Sequence, residues 1–474
     1  MKNHSFEEGR EELKELLRRF DNLKAGLGSS FIEEDGFRSI IDHFNDKEEF
    51  VSAMEAVDMG INQYPFSATL LLLKADVLIS LKKFREALHI LEKAEIMDSS
   101  DPSLFILKTD VFLALEMPEK AEQMLSDCLD QFDGEERVDI LFELADVFDD
   151  YEDFQKVFDC LKLILTFDPL NEEALYKICF WTDYTGRNEE SIKLHTKIID
   201  AHPYAELAWF NLGAAFQGIK LYEKAIDAYQ YAVAIEEKFD YAYRNMGDAY
   251  IKLRRYKEAI EVLEKVLELA RPETVIFEAI GFCYDKQAKY AQARANYKKA
   301  VHLSPEDSQL FYKIGLTYMN EENWPQAIKS LEAALHIHVQ QPEYNLAMGS
   351  CLMEMDRLED ALVYLGNVVR IKPRMLRGWT EILTCLYKGG LSEEGLQFSG
   401  LAFEQTDHKP IFLYFKAAFL LQAGKHQEAI ALLHQAVLLA PRLVKQFIAI
   451  DPALLQYRQV VELLAGLKKR NKRG

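Results

Sequence analysis

The sequence is poor in cysteine and has no long apolar run. Six cysteines are scattered through 474 residues without a CxxC pair, a usage typical of a reducing compartment. No stretch reaches the roughly 18 uninterrupted apolar residues that a membrane-spanning helix needs. The charged start, MKNHSFEEGREELKELL, is also unlike a secretory signal. We therefore expect a cytoplasmic protein that does not cross a membrane.

Signatures of catalysis and of metal binding are missing as well. The sequence has no GxxxxGKS or GxxxxGKT, no HExxH and no GxSxG motif. The acidic run from Asp146 to Asp153 lacks the oxygen spacing and central glycine of an EF-hand loop. His336 and His338 lack the third and fourth ligands of a zinc site. We expect a non-enzymatic protein without a metal or another cofactor.

The formal net charge of −21 is distributed unevenly. Residues 1–170 contain 39 Asp and Glu against 18 Lys and Arg, whereas residues 171–474 contain 38 of each. A short basic tail, residues 468–474, ends the sequence. Because the body of the chain is acidic, with a pI near 5.1, we expect no nucleic-acid partner.

The most informative pattern that is present is a period of 34 residues. Glycine in a helix interior costs roughly 1 kcal/mol relative to alanine, so a regular series of such glycines indicates close approach of a neighbouring helix. Five glycines at this spacing stand inside segments that otherwise have helical character: Gly213, Gly247, Gly281, Gly315 and Gly349. A fixed period of this length predicts stacked helical repeats.

When each repeat is numbered so that the glycine is position 8, other positions also become regular. Position 20 is a small residue in the same repeats: Ala225, Ala259, Ala293, Ala327 and Ala361. The segment that starts at Glu206 adds an apolar or small residue at five further positions: Trp209 at 4, Leu212 at 7, Phe216 at 11, Tyr229 at 24 and Ala232 at 27. This pattern resembles the tetratricopeptide repeat, whose consensus is W-x2-L-G-x2-Y followed by Ala, an aromatic residue, Ala and Pro. The whole sequence is similar to uncharacterised bacterial proteins that consist of this repeat.

The resemblance implies an all-α fold, a right-handed superhelical α-solenoid of helical hairpins. Twelve repeats are expected, starting near residues 34, 68, 102, 138, 172, 206, 240, 274, 308, 342, 376 and 410. One step of 36 residues falls at the acidic turn around Gly134. Residues 1–33 are expected to form an amphipathic helix and a linker, the helix being either a cap or a partner-docking element. Asp451 and Pro452 predict the start of a last helix, so residues 443–467 are expected to form a C-terminal capping helix.

The resemblance also implies a ligand groove lined by the first helix of each repeat, mainly by positions 2, 5, 6, 9, 12 and 13. Position 9 is aspartate in the first four repeats: Asp42, Asp76, Asp110 and Asp146. Such a stripe would favour a basic segment of a partner, with salt-sensitive association. The alternative is that these aspartates bond across to the neighbouring repeat.

From the fifth repeat onward the expected groove residues change in character. Aromatic residues take several groove positions: Tyr176, Phe180, Phe210, Tyr241, Phe282 and Tyr312. Asn211 and Asn245 share position 6 and could hydrogen-bond an extended peptide, and Arg244 and Asp248 complete the predicted contact set. The alternative is that the aromatic rings serve local packing.

The expected partners are other proteins or peptides. The clamp by which some tetratricopeptide proteins bind chaperone C-terminal tails needs basic residues that are missing here: Phe210 and Ala214 precede Asn245, and Val275 and Ala279 follow it, at the clamp positions. We therefore expect a protein-interaction scaffold or adaptor without a chaperone-tail carboxylate clamp. The alternative is a chaperone or assembly factor that holds an unassembled subunit.

Overall fold

The computed structural model describes residues 2–27 and 31–470, with side chains for residues 11–27 and 31–464. The all-α fold class expected from the sequence is confirmed, because all regular secondary structure in these ranges is helical. The chain divides into two compact units, Met1–Asn245 and Met246–Gly474. Within each unit, consecutive helices pack against one another as antiparallel hairpins.

Each hairpin consists of a first helix, here called helix A, and a second helix, here called helix B. The A helices are α2 (Glu34–Asp46), α4 (Ala68–Ser80), α6 (Pro102–Ala114), α8 (Gly134–Asp150), α10 (Glu172–Thr185), α12 (Glu206–Gly218), α14 (Asp240–Lys252), α16 (Thr274–Lys286), α18 (Ser308–Asn320), α20 (Pro342–Glu354), α22 (Leu376–Lys388) and α24 (Ile411–Gln422). The B helices are α3 (Phe50–Gln63), α5 (Phe84–Met97), α7 (Pro118–Cys128), α9 (Phe154–Phe167), α11 (Asn188–Ala201), α13 (Tyr222–Ile235), α15 (Tyr256–Leu269), α17 (Tyr290–Leu303), α19 (Trp324–Ile337), α21 (Leu358–Ile371), α23 (Ser392–Gln405) and α25 (His426–Leu439).

Local sequence sets where several A helices begin. Ser67 Oγ accepts a hydrogen bond from the backbone N–H of Leu70, and Asn171 Oδ1 accepts one from Ala174. Asp101 caps α6 in the same way, followed by Pro102 in the first turn. These side chains satisfy backbone donors that have no partner inside the helix, so each helix begins at a defined residue.

The turn from helix A to helix B contains a left-handed residue at position 15 of every hairpin between residues 34 and 439 of the described chain. Only three of these residues are glycine. They are Glu48, Lys82, Glu116, Glu152, Gly186, Lys220, Arg254, Ala288, Glu322, Asp356, Gly390 and Gly424, with φ between 56° and 76°. Since a side chain in this conformation costs roughly 1 kcal/mol or more, the helix packing on both sides of the turn must impose it.

The periodic glycines mark the close contact between helices A and B. A Cβ atom on Gly281 would lie 2.6 Å from the ring of Tyr297, and one on Gly349 would lie 2.6 Å from Leu365. The other members of the series meet position 24 of helix B in the same way: Gly213 meets Tyr229, Gly247 meets Leu263, and Gly315 meets Leu331. The small residues at position 20 are completely buried: Ala225, Ala259, Ala293, Ala327 and Ala361. Glycine at position 8 therefore makes room for a large side chain at position 24.

The two-residue insertion near Gly134 lies in a different element from the one expected. It was predicted in a turn before a repeat starting near residue 138, but α8 already begins at Gly134 and runs for 17 residues, against 13 in α6. Gly134 has a φ of 59° and follows a short 3-10 helix, Leu129–Gln131. Helix α8 is thus four residues longer than α6, while the preceding α7, with 11 residues, is shorter than the 14-residue α5.

The two ends of the array also differ from a simple capped solenoid. At the N-terminus, α1 (Lys2–Lys24) packs Phe20 into the core of the first hairpins. At the C-terminus, the single expected helix over 443–467 is wrong. The structure has α26 (Val444–Ile450), a 3-10 helix (Pro452–Gln456) and α27 (Arg458–Arg470) instead. Asp451 caps the 3-10 helix and not a long α-helix, since its side chain accepts from Ala453 N. The side chains of the basic tail lie outside the described residues.

Candidate protein-binding site

The position-9 aspartates of α2, α4 and α6 form an electrostatic series. Partial burial raises the pKa of Asp76 and of Asp110, and a neighbouring carboxylate raises each pKa further. Asp42 acts on Asp76, and Asp76 acts on Asp110. A carboxylate raises the pKa of a neighbouring carboxyl group when the two are close enough to interact through a poorly screening environment. The stripe expected from sequence is therefore electrostatically continuous over these three repeats.

Glu143 on α8 extends this series, and the sequence prediction missed it. Burial raises its pKa to about 7, with further contributions from Asp110 and Asp146, while Lys177 acts in the opposite direction. Glu143 occupies position 6 of its repeat, which is one of the expected groove positions. Its position in the repeat therefore indicated that it belongs to the site. Asp42, Asp76, Asp110, Glu143 and Asp146 are called the acidic ladder below.

Cations act on the two ends of the acidic ladder, because Arg38 counteracts the rise in the pKa of Asp42 and Lys177 counteracts that of Asp146. Lys74 and Lys108 lie near it in sequence, but their Nζ atoms pair with Asp58 and Glu95 at 2.6 Å in each case. Asn45 Nδ2 donates a hydrogen bond to Asp76 Oδ2 at 3.1 Å. The alternative of cross-repeat bonding thus holds for Asp76. Since the amide carries no charge, the bond leaves the negative charge of Asp76 uncompensated.

The last carboxylate of the acidic ladder has a lysine beside it. Lys177 Nζ lies 3.8 Å from Asp146 Oδ1 and 2.8 Å from Glu173 Oε1. Burial is the largest cause acting on the pKa of Asp146 and raises it, and Lys177 partly offsets this effect. Because Lys177 belongs to α10, it places the end of the acidic ladder directly against that helix.

Three exposed aromatic rings follow one another on α10 at intervals of four residues. Tyr176 is 61% exposed, and Phe180 and Tyr184 are each 60% exposed. Tyr184 was not among the predicted site residues, although position 13 and its spacing from Phe180 indicated the same helix face. Tyr176, Phe180 and Tyr184 are called the aromatic stripe below.

Three of the other predicted aromatic residues are more enclosed than the aromatic stripe. The Phe210 ring lies 5.0 Å from Phe239, and Tyr312 lies 4.8 Å from Tyr344. Phe282 makes an edge contact with Tyr256 at 6.3 Å. All three are half-buried, and each makes a local ring contact of the kind that the packing alternative expects.

The predicted peptide-binding role of Asn211 is wrong. Its side chain is 2% exposed, and Nδ2 donates a hydrogen bond to the backbone oxygen of Leu175 at 2.7 Å. Leu175 lies on α10, the helix A of the preceding hairpin, so Asn211 joins two hairpins. A side chain buried in this way cannot reach an extended peptide.

The other predicted groove residues all lie on α14. Tyr241 is 61% exposed, and Arg244 Nε pairs with Asp240 Oδ2 at 3.2 Å. Asn245 is half-buried. Lys252 Nζ lies 3.9 Å from Asp248 Oδ1. These contacts are local to the helix, and only Tyr241 presents a largely exposed side chain.

The part of the chain that the structure describes contains neither a metal-binding cluster nor a membrane-spanning helix. No three side chains from His, Cys, Asp and Glu are grouped so as to hold a metal ion there. No helix in these residues combines the length and apolar character needed to cross a bilayer.

Helical hairpins at a 34-residue period, with glycine at position 8 facing a large residue at position 24, define a repeat protein of the tetratricopeptide type. Residues 185–353 match the family model of the tetratricopeptide repeat protein 21 C-terminal ARM domain. None of the curated proteins matches the chain.

Several solved structures resemble parts of the chain, two of them described as TPR proteins. YrrB, described as a protein with an unusual peptide-binding site, is 21% identical over 39% of this chain and 95% of its own, with a TM-score of 0.35. The C-terminal part of a repeat protein from Cytophaga hutchinsonii is 16% identical over 54% and 99%, with a TM-score of 0.45. PilF from Pseudomonas aeruginosa is 19% identical over 44% and 94%, with a TM-score of 0.36.

Proposed function

We propose that this protein is a non-enzymatic protein-interaction scaffold whose first unit binds a basic segment of a partner protein on the acidic ladder. The feature that supports this most directly is the row of partly buried carboxylates, in which Asp42 raises the pKa of Asp76, Asp76 raises that of Asp110, and Asp110 and Asp146 raise that of Glu143. Partly buried carboxylates that repel one another raise the free energy of the unbound protein, and a cationic segment lying along them would relieve that repulsion.

Electrostatic attraction of this kind predicts three properties of binding. Association should weaken as salt rises, because screening shortens the range of the field. It should also weaken below about pH 7, because Glu143 becomes protonated there. A bound cation should in turn lower the pKa of Glu143, so binding at neutral pH should release protons.

The first experiment measures binding of a fluorescent peptide with four spaced basic residues by anisotropy. The double variant Asp76→Lys, Asp110→Lys should lose about tenfold or more in affinity, because two attractions become repulsions. The matched control, Glu92→Lys with Asp127→Lys, makes the same change of charge on the helix B surface of α5 and α7 and should retain most of the binding. Circular dichroism should show that both variants fold. Equal affinity of the two double variants would contradict the role of the acidic ladder.

A second function, holding an unassembled subunit as a chaperone or assembly factor, is favoured by the exposed aromatic stripe. Exposed aromatic rings bind apolar segments that a folded partner would bury. An aggregation assay with an unrelated unfolding protein separates the two functions. A scaffold should leave aggregation unchanged and bind the basic peptide, whereas a holding chaperone should suppress aggregation in proportion to its concentration.

A further inference from the structure

The basic tail is the densest basic run in the sequence. Five of the six residues from 468 to 473 are lysine or arginine, and no acidic residue follows Glu462. Another dense run, residues 252–257, lies inside a hairpin and has acidic neighbours. Lys252 Nζ lies 3.9 Å from Asp248 Oδ1 there, and Arg255 Nε pairs with Glu258 Oε1 at 2.9 Å. The basic tail, by contrast, has no acidic neighbour in sequence that could neutralise it.

The middle of the acidic ladder is the part that an incoming cation can neutralise. Its two ends already have basic residues beside them. Between these ends, Asp76 and Asp110 form no ion pair in the part of the chain that the structure describes. Asp76 accepts only the uncharged hydrogen bond from Asn45, and Asp110 is exposed. Two adjacent hairpins therefore offer uncompensated carboxylates to a cationic segment.

The uneven charge of the chain favours one arrangement of two copies. Residues 1–170, with 39 acidic and 18 basic residues, carry a net charge of −21, whereas residues 171–474 carry none, with 38 of each. Two acidic parts repel each other, but the part that ends in the basic tail can approach an acidic part without net repulsion. Electrostatic forces thus favour a head-to-tail arrangement, in which the basic tail of one copy meets the acidic ladder of another.

From this complementarity we propose that the basic segment bound by the acidic ladder is the basic tail of a second copy of this chain. The inference rests on the proposed function, since it concerns the same acidic ladder, and it adds the identity of the partner. The two surfaces in contact are different, so one ladder and one tail stay open after the first contact. Contacts of this kind continue into rings or filaments.

Sedimentation velocity on the full chain at several protein concentrations tests the inference. The wild type should form dimers and larger species at low salt, and association should weaken as salt rises. The tail variant removes the positive charge of the basic tail and keeps its length: Lys468→Gln, Lys469→Gln, Arg470→Gln, Lys472→Gln and Arg473→Gln. The ladder variant is Asp76→Lys with Asp110→Lys. Each variant alone should associate at least about tenfold more weakly than the wild type.

A mixture of the two variants gives the sharpest result. The tail variant keeps an intact acidic ladder and the ladder variant keeps an intact basic tail. An equimolar mixture should therefore form dimers with one copy of each variant, but no larger species, because both remaining surfaces of the dimer are defective. The charge control, Glu92→Lys with Asp127→Lys, should associate as the wild type does.

The outcomes separate the inference from the proposed function. A wild type that stays monomeric at low salt would overturn the inference, and so would association that the tail variant retains. If the tail binds its own chain, the mixture will stay monomeric and the tail variant will bind the fluorescent basic peptide more tightly than the wild type, which also overturns it. If that peptide binds neither protein, the proposed function fails as well. Asp76→Asn with Asp110→Asn replaces the ladder variant if circular dichroism shows that the latter does not fold.

Discussion

At the scale of single residues, position 8 is tightly constrained in the five hairpins that have glycine there. A glycine there leaves space for a tyrosine or leucine at position 24, as in the pair Gly281 and Tyr297. Protein interiors are close-packed, so a side chain added at such a contact must displace a neighbour. The helix pair then separates or the large residue leaves its rotamer.

Gly281→Leu should lower the free energy of unfolding by about 1–3 kcal/mol, the usual cost of overpacking. Chemical denaturation followed by circular dichroism would measure it. Gly366→Leu is the matched control, because a Cβ on Gly366 of α21 meets nothing within 4 Å. A loss of the same size in the control would show that the glycine contact is not the cause.

Glu143 should make stability depend on pH. Its pKa in the folded protein is about 7, against an ordinary value of 4.5, so between these pH values the folded state binds more protons than the unfolded state. The free energy of unfolding should therefore fall as pH rises from about 5 to 8. Glu143→Gln should match the wild type near pH 5 and exceed it by about 1–2 kcal/mol at pH 8, after allowing for solvent screening.

Denaturant unfolding at several pH values would test the effect of Glu143. The control Glu136→Gln changes an exposed glutamate on the same helix and should shift stability by a similar small amount at every pH. A wild-type curve that is flat between pH 5 and 8, or one that Glu143→Gln leaves unaltered, would contradict the assignment.

At the scale of helices and turns, the left-handed residue at position 15 closes each hairpin whatever its side chain. Helix packing on either side must supply the conformational energy that non-glycine residues need there. The step from Glu116 to Glu152 keeps this position although α8 is longer than the other A helices. The longer first helix thus leaves the left-handed turn unaffected.

Ala288→Gly should raise the free energy of unfolding by about 0.5–1 kcal/mol. Alanine with a φ of 56° carries a steric cost of roughly 1–2 kcal/mol, which glycine removes. Glycine also gives the unfolded chain more conformational entropy, and this reduces the gain in stability by up to about 1 kcal/mol. The reciprocal variant Gly186→Ala, at the same turn position with a φ of 71° and no atom within 4 Å of an added Cβ, should destabilise. Thermal unfolding would measure the stability of both variants. If both were stabilised or both destabilised, the left-handed backbone conformation could not be the cause.

The sequence was sufficient to predict the register of the hairpins but not the exposure of every groove residue. Position 8 could be recognised because only glycine fits against Tyr297 or Leu365. The left-handed conformation at position 15 could not be recognised in the sequence, since glutamate, lysine and alanine all occupy this position. Tyr176 and Phe210 both hold position 5, yet only Tyr176 is largely exposed.

The difference between Tyr176 and Phe210 comes from tertiary contacts that the pattern does not encode. Phe239, in the connection after α13, packs against Phe210 at 5.0 Å. Asn211 was predicted to bind a ligand because its residue type suits a peptide backbone, but the nearest backbone acceptor belongs to Leu175 of the neighbouring hairpin. Burial of Glu143 is likewise a property of the packed helices and could not be derived from its spacing.

At the scale of the whole molecule, the hairpins contact mainly their neighbours in sequence within each unit. Stability in such an array is approximately a sum of local terms and nearest-neighbour contacts. The last hairpin depends on its cap, because α24 is buried along almost its whole length and needs a further element beside it. Phe447 of α26 supplies a completely buried ring, 5.7 Å from Tyr414.

Phe447→Ala should therefore loosen only the C-terminal end of the chain. Removing a buried phenylalanine typically costs about 3–5 kcal/mol, and here the loss should be confined to the adjacent hairpins. Hydrogen exchange followed by mass spectrometry should show faster exchange in residues 411–464 and unchanged exchange in residues 34–132. Leu455→Ala, at a side chain that is 41% exposed, is the control and should alter neither region. Faster exchange along the whole chain would contradict local stability.

Each hairpin between residues 34 and 439 carries its own A-to-B turn, closed by a residue whose identity is free, and five of these hairpins also carry the glycine contact at position 8. Duplication or loss of one 34-residue segment in the gene would thus leave the remaining turns intact and create no junction that needs a new sequence. Hairpins could be gained or lost over generations while each retained hairpin diverged in its surface residues. The acidic ladder lies on the first four hairpins and the aromatic stripe on the fifth. Both would then have arisen by sequence divergence of one ancestral repeat.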